Sequence, residues 1–214
     1  EAPGVSSLVR PSPASPQAYA ADIRAHYGDL ADDYLRLYPA QNLAEAQLAA
    51  TRDAIFGWAA ERLVRNPSDI VQPSYLYYFS HEYPTATTAG LAAFHASEVP
   101  FVFGTFSGTP PNWPAIPDTA SERQLAESML DYWTSFARTG RPTAAYGPDW
   151  EPFAPGGRYM NFGDEPQLSR PFMPGMYVLH EKVVCRRRQD GSQSWNWRTG
   201  SLAPVLRGPT PQCP

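Results

Sequence analysis

The chain has 214 residues, 43% of them hydrophobic and 18% charged, which fits a packed soluble globule and excludes a disordered segment. A net charge of -4, with Arg186-Arg187-Arg188 the densest basic run, excludes the broad basic patch that nucleic acid needs. No apolar run approaches the ~18 residues of a membrane span.

The first stretch, 3–16, carries Pro3, Gly4, Pro11, Pro13 and Pro16 and reads as a loop. Residues 17–27 and 29–38 show apolar side chains at helical spacing and predict two short helices, the second stopped by Pro39. From Asn42 to Arg65 the pattern predicts one long helix, ended by Asn66-Pro67. Ser74–Phe79 is rich in aromatics and predicts a buried strand. A loop follows over 84–94, then a short apolar run, Phe101-Val102-Phe103, and a second Pro/Gly-rich loop over 105–117. Residues 121–138 predict an amphipathic helix, with Asp118 or Thr119 as N-cap and Gly140 as its stop. Tyr159–Phe162 predicts a last strand and 175–188 a closing helix, whose arginine run is expected to be a solvated helix end.

Strands alternating with helices predict an α/β fold. Two or three strands cannot build a whole doubly wound sheet, so the missing strands are expected upstream. The chain opens on Glu1 rather than Met, which fits a start removed by processing or by the definition of the chain. The two cysteines, Cys185 and Cys213, either form a disulfide that staples the tail to the last helix or remain separate thiols. The disulfide would favour an oxidising compartment, secreted or periplasmic. The almost complete use of Arg over Lys hints at a GC-rich bacterial source.

The most informative stretch is Ala93-Phe94-His95-Ala96-Ser97-Glu98-Val99-Pro100-Phe101-Val102-Phe103-Gly104. On spacing alone, His95 reads as a satisfied core or surface histidine. His95 and Glu98 could also be two metal ligands, but no second His or Cys stands nearby at ligand spacing, so no metal is expected. The stretch resembles the histidine motif of the type-B carboxylesterase family, Gly/Ala-x-x-His-x-x-Glu-hydrophobic-x-Phe-Val-Phe-Gly. That resemblance implies that His95 is a catalytic base and Glu98 a carboxylate supporting it. Tyr132-Trp133-Thr134-Ser135-Phe136-Ala137-Arg138-Thr139-Gly140-Arg141-Pro142 is similar to a second family segment, which reads as structural. At the chain start, Glu1-Ala2-Pro3, leading through helices to Tyr38-Pro39, aligns Glu1 with the family's catalytic acid; Ala2 stands where the family usually has Gly.

The resemblance covers roughly 1–180. It implies that 1–188 is the C-terminal part of an α/β-hydrolase catalytic domain, a mostly parallel sheet flanked by helices and incomplete without an upstream segment. Residues 189–214 form a tail. The chain has no Gly-x-Ser-x-Gly elbow and no Gly-Gly oxyanion segment. A nucleophilic serine would therefore come from the N-terminal part of the same esterase, acting on a carboxylic ester with no cofactor. Phe94, Tyr83 and Phe106 either line the acyl or alcohol pocket or are ordinary core aromatics. The competing reading is a non-catalytic binding or adhesion module of the same fold.

Overall fold

The computed structural model describes residues 13–65, 73–105, 108–154, 157–170 and 173–189. These fall into two compact units, one drawn from Pro67–Phe172, the other from Pro3–Asn66 and Met173–Pro214.

Every regular element among the described residues of the second unit is a helix. Helix α1 (Pro16–Tyr27) starts where Ser15 Oγ accepts from the Ala18 amide at 3.1 Å, with Pro16 in the first turn, where its missing N–H costs nothing. A 3-10 turn over Gly28–Leu30 leads into α2 (Ala31–Leu37), which stops at Tyr38 before Pro39. Helix α3 (Leu43–Arg52), capped by Asn42, passes through a π turn over Asp53–Gly57 into α4 (Trp58–Arg65). The long helix read from the sequence is thus a continuous helical run with a widened turn in its middle. A π turn inserts one extra residue without changing composition, so apolar spacing hardly registers it.

The closing helix (Met176–Gln189, α8 in chain order) lays Leu179 and Val183 into the same core as Tyr19, Tyr27, Tyr34 and Tyr38. Tyr27 stacks on Tyr34 at 4.4 Å, and Tyr34 meets Tyr38 at 4.9 Å. The arginine run is not the solvated helix end expected. Arg186 and Arg187 are buried and only Arg188 is exposed. Arg186 forks onto Asp29 with bonds of 2.6 and 2.8 Å, and the Arg187 guanidinium lies 5.7 Å over the Tyr27 ring. A planar cation with an acidic and an aromatic partner can be buried where a bare charge cannot.

The first unit holds a three-stranded sheet in the order β1-β2-β3. Strand β1 (Tyr77–Phe79) pairs in parallel with β2 (Tyr159–Phe162), Tyr77 opposite Met160 and Phe79 opposite Phe162. Strand β3 (Pro166–Ser169) returns antiparallel, so the predicted last strand is followed by another. β1 is shorter and less buried than expected. Tyr77 remains 39% exposed, as befits a strand that pairs on one side only among the described residues.

The crossover from β1 to β2 carries α5 (Pro84–Thr88), α6 (Val99–Val102) and α7 (Ala120–Thr139). The sequence expected a plain loop at α5; its threonine-rich run has weak helix propensity, but Pro84 opens the turn and Thr85 Oγ1 donates to the Ala115 carbonyl at 2.5 Å. Thr119 caps α7, its Oγ1 accepting from the Glu122 amide, and Gly140 ends it at φ 74°, a left-handed conformation that favours glycine. Leu125, Met129 and Tyr132 of α7 pack with Met160 and Phe162. Trp133 is half-buried and Phe136 exposed, so the apolar stripe is narrower than its sequence pattern.

Candidate functional site

His95 opens a tight turn over 95–98. The Ser97 amide donates to the Phe94 carbonyl and the Val99 amide to the Ala96 carbonyl, each at 3.0 Å. Pro100 then stands in the first turn of α6, whose Phe101 is fully buried and anchors the turn to the core. His95 itself is exposed.

Two local costs are concentrated beside it. Ala96 sits at φ 67°, a region L-residues avoid. Ser97 is fully buried, and its Oγ has no hydrogen-bond partner among the described residues. Such costs persist only where the surroundings over-determine the backbone, and they gather at functional sites.

Phe94, which precedes His95, belongs to a group of packed aromatic rings. Phe94 is half-buried, its ring 5.0 Å from Trp113 and 6.1 Å from Tyr83. Tyr83 lies wholly in the core and donates its hydroxyl to the Pro114 carbonyl at 3.1 Å. Glu98 is half-buried near Tyr77; burial first, and then the Glu98 charge, push the Tyr77 hydroxyl pKa up.

The structure therefore brings His95, Phe94, Tyr83 and Glu98 into one unit. Glu1, Phe106 and Cys213 lie outside the described residues. Cys185 is on α8 in the other unit. Among the described residues no group of His, Cys, Asp or Glu is arranged to hold a metal ion, and no helix is long and apolar enough to cross a membrane. A small cleft of about 180 Å³ between Tyr75, Arg141, Asp149 and Trp150 is lined by none of the predicted site residues.

The sequence reading passed over a second histidine. His81 follows β1 and is buried, with Nε2 2.7 Å from Glu122 Oε2 and Nδ1 3.1 Å from Asp164 Oδ1. Glu122, in the first turn of α7, is buried as well; Asp164, in the β2–β3 turn, is exposed. A histidine just past the C-terminal end of a strand, where α/β folds place their sites, was the available signal.

Comparison with known proteins gives a consistent set of matches. The model of the Carboxylesterase family matches residues 6–176. The human cocaine esterase is 34% identical over 121 residues, 55% of this chain and 21% of that protein. The rat acylcarnitine hydrolase is 27% identical over 172 residues, 78% of this chain and 26% of its own length. A solved PNB esterase structure superposes with a TM-score of 0.60 at 25% identity, covering 80% of this chain and 33% of that one. The chain thus spans about a fifth to a third of the length of the relatives it matches.

Proposed function

This chain belongs to the carboxylesterase family, and from that premise we propose that it is the histidine-bearing part of a serine esterase acting on carboxylic esters. The observation that carries the proposal is the exposed imidazole of His95 on a strained turn inside the family-matched span. A serine supplied by the N-terminal part of the same esterase attacks the ester carbonyl. His95 takes its proton and later returns it to the departing alcohol, so that an acyl-enzyme forms and is then hydrolysed. Glu1 holds the imidazole in the required tautomer and stabilises the imidazolium, while Glu98 steadies the turn from behind. Phe94, backed by Tyr83, together with Phe106, lines the acyl or alcohol pocket. Pairing of Cys185 with Cys213, readable by peptide mapping without reductant, belongs to the same proposal and fits a secreted or periplasmic protein.

The test uses the full-length protein that carries this chain. His95→Ala is expected to abolish hydrolysis of p-nitrophenyl acetate, and Glu1→Gln to lower kcat severely with the fold unchanged. Undiminished turnover in the His95 variant overturns the assignment. Failure of the wild-type protein to react with a fluorophosphonate probe favours the non-catalytic binding module instead.

A further inference from the structure

We propose that His81 is a positioning residue for His95, acting through the two buried aromatic side chains that hold the residues on either side of it; the inference rests on the esterase reading of His95. Phe101 anchors the turn from its C-terminal side, and its ring meets the His81 ring edge-on at 5.5 Å. Phe94 precedes His95 and rests on Tyr83, whose ring is 6.4 Å from the same imidazole. Tyr83 and Phe101 also touch each other, with centroids 6.5 Å apart, and Phe79 at the end of β1 closes the group against Phe101 at 5.7 Å. The backbone on both sides of His95 is thus pinned to one floor, and His81 is the polar member of that floor.

What makes His81 more than another core ring is how it is held. Its two nitrogens reach carboxylates from two different elements, Glu122 on α7 and Asp164 in the β2–β3 turn. A Phe in its place could fill the volume but could not fix the ring's rotation or its depth. Both partners are carboxylates, which only accept, so the clamp is the form of the ring that carries a proton on each nitrogen, and its two directed bonds set both. The Glu122 end is buried, where a directed bond to a charged group is strong and its loss expensive. The clamp therefore sets the height of Phe101, and with it the height of the turn that His95 opens. A general base must lie within a few tenths of an ångström of its working place, and a shift of about 1 Å costs roughly a hundredfold in rate.

The experiment compares wild type with His81→Asn in the full-length protein. Hydrolysis of p-nitrophenyl acetate is normalised by active-site titration with a fluorophosphonate, and amide hydrogen exchange is followed over the turn. The expected result is a kcat lower by roughly tenfold to a hundredfold with KM within about threefold. Exchange of the Ser97 and Val99 amides is expected to rise by roughly tenfold, because these two bonds close the turn. Unchanged kcat per titrated site with unchanged exchange overturns the proposal, as does a loss confined to the yield of folded protein. If His81→Asn does not fold, Glu122→Gln and Asp164→Asn decide by the same readouts; the conservative Glu122→Gln keeps an oxygen acceptor for the ring and is expected to lose less. If the wild type neither hydrolyses the ester nor reacts with the probe, the esterase reading fails, and the exchange data alone decide whether His81 holds the turn.

Discussion

Acid should destabilise this protein through one buried histidine, His180 on α8. The side chain is fully buried, and its Nε2 lies 2.9 Å from the Tyr38 hydroxyl. Tyr38 has one proton and gives it to Asp53 Oδ2 at 3.1 Å. It must then accept from His180, which places the ring proton on Nε2 and leaves Nδ1 as a bare lone pair. Nδ1 has no partner among the described residues, so a second proton would arrive at a buried nitrogen with nothing to donate to. Burial, reinforced by the nearby Arg187 charge, holds the His180 pKa down at about 3, from an ordinary value of 6.5. Between those values the unfolded chain binds a proton that the folded protein refuses, so stability is full above about 6.5 and falls as pH drops toward 3. At pH 4.5 the loss works out at about 3 kcal/mol relative to pH 8, from about 1.4 kcal/mol per pH unit.

Other groups titrate in the same direction. The Asp29 pKa is held low, chiefly by the hydrogen bond from Arg186, and its contribution also fades in acid. The informative measurement is therefore a difference of differences. Urea unfolding of wild type and His180→Gln, each at pH 8 and 4.5, should show the wild type losing about 3 kcal/mol more than the variant. Glutamine retains an N–H for Tyr38 but cannot take up a proton. Equal acid losses in the two proteins would refute the reasoning.

Two further perturbations test backbone geometry. Ala96 holds φ 67° immediately after His95, so Ala96→Gly should be neutral or stabilising in chemical denaturation while Ala96→Val loses about 2 kcal/mol; equal stabilities would mean that the turn is not left-handed. Gly147 has φ 132°, and a Cβ there would collide with the hydroxyl of Tyr132, which is buried and donates to the Pro148 carbonyl at 2.6 Å. Gly147→Ala should therefore cost about 3 kcal/mol, read from the urea midpoint, and a midpoint equal to wild type would contradict the packing.

Local rules decided most of the helices. Thr119 and Gly140 bracket α7 because a hydroxyl can cap the first amides and glycine alone enters the left-handed turn without strain; both requirements are visible in sequence. The partners of Arg186 and Arg187 were not visible. Asp29 and Tyr27 are distant in the chain, and only packing α8 against the other helices brings them under the arginines. Strand β3 escaped for a related reason. Pro166-Gln167-Leu168-Ser169 has no alternation to mark it, and it is a strand because β2 offers an unpaired edge.

The same contrast separates the two histidines of the first unit. The turn that carries His95 was legible because it is built from neighbours in sequence: Phe94, Ala96, Glu98 and Phe101 all lie within six residues of the histidine. His81 depends on Glu122 and Asp164, which come from a helix and a hairpin far along the chain, so no local pattern could announce it. A tight turn is set by the residues that form and flank it, and short-range sequence can encode that. A clamp that holds the turn at the right height must reach across elements, and its residue types look ordinary until the fold brings them together. On the role proposed for His81, that difference makes its clamp, rather than the turn, the place where a substitution detunes the site while leaving its motif intact.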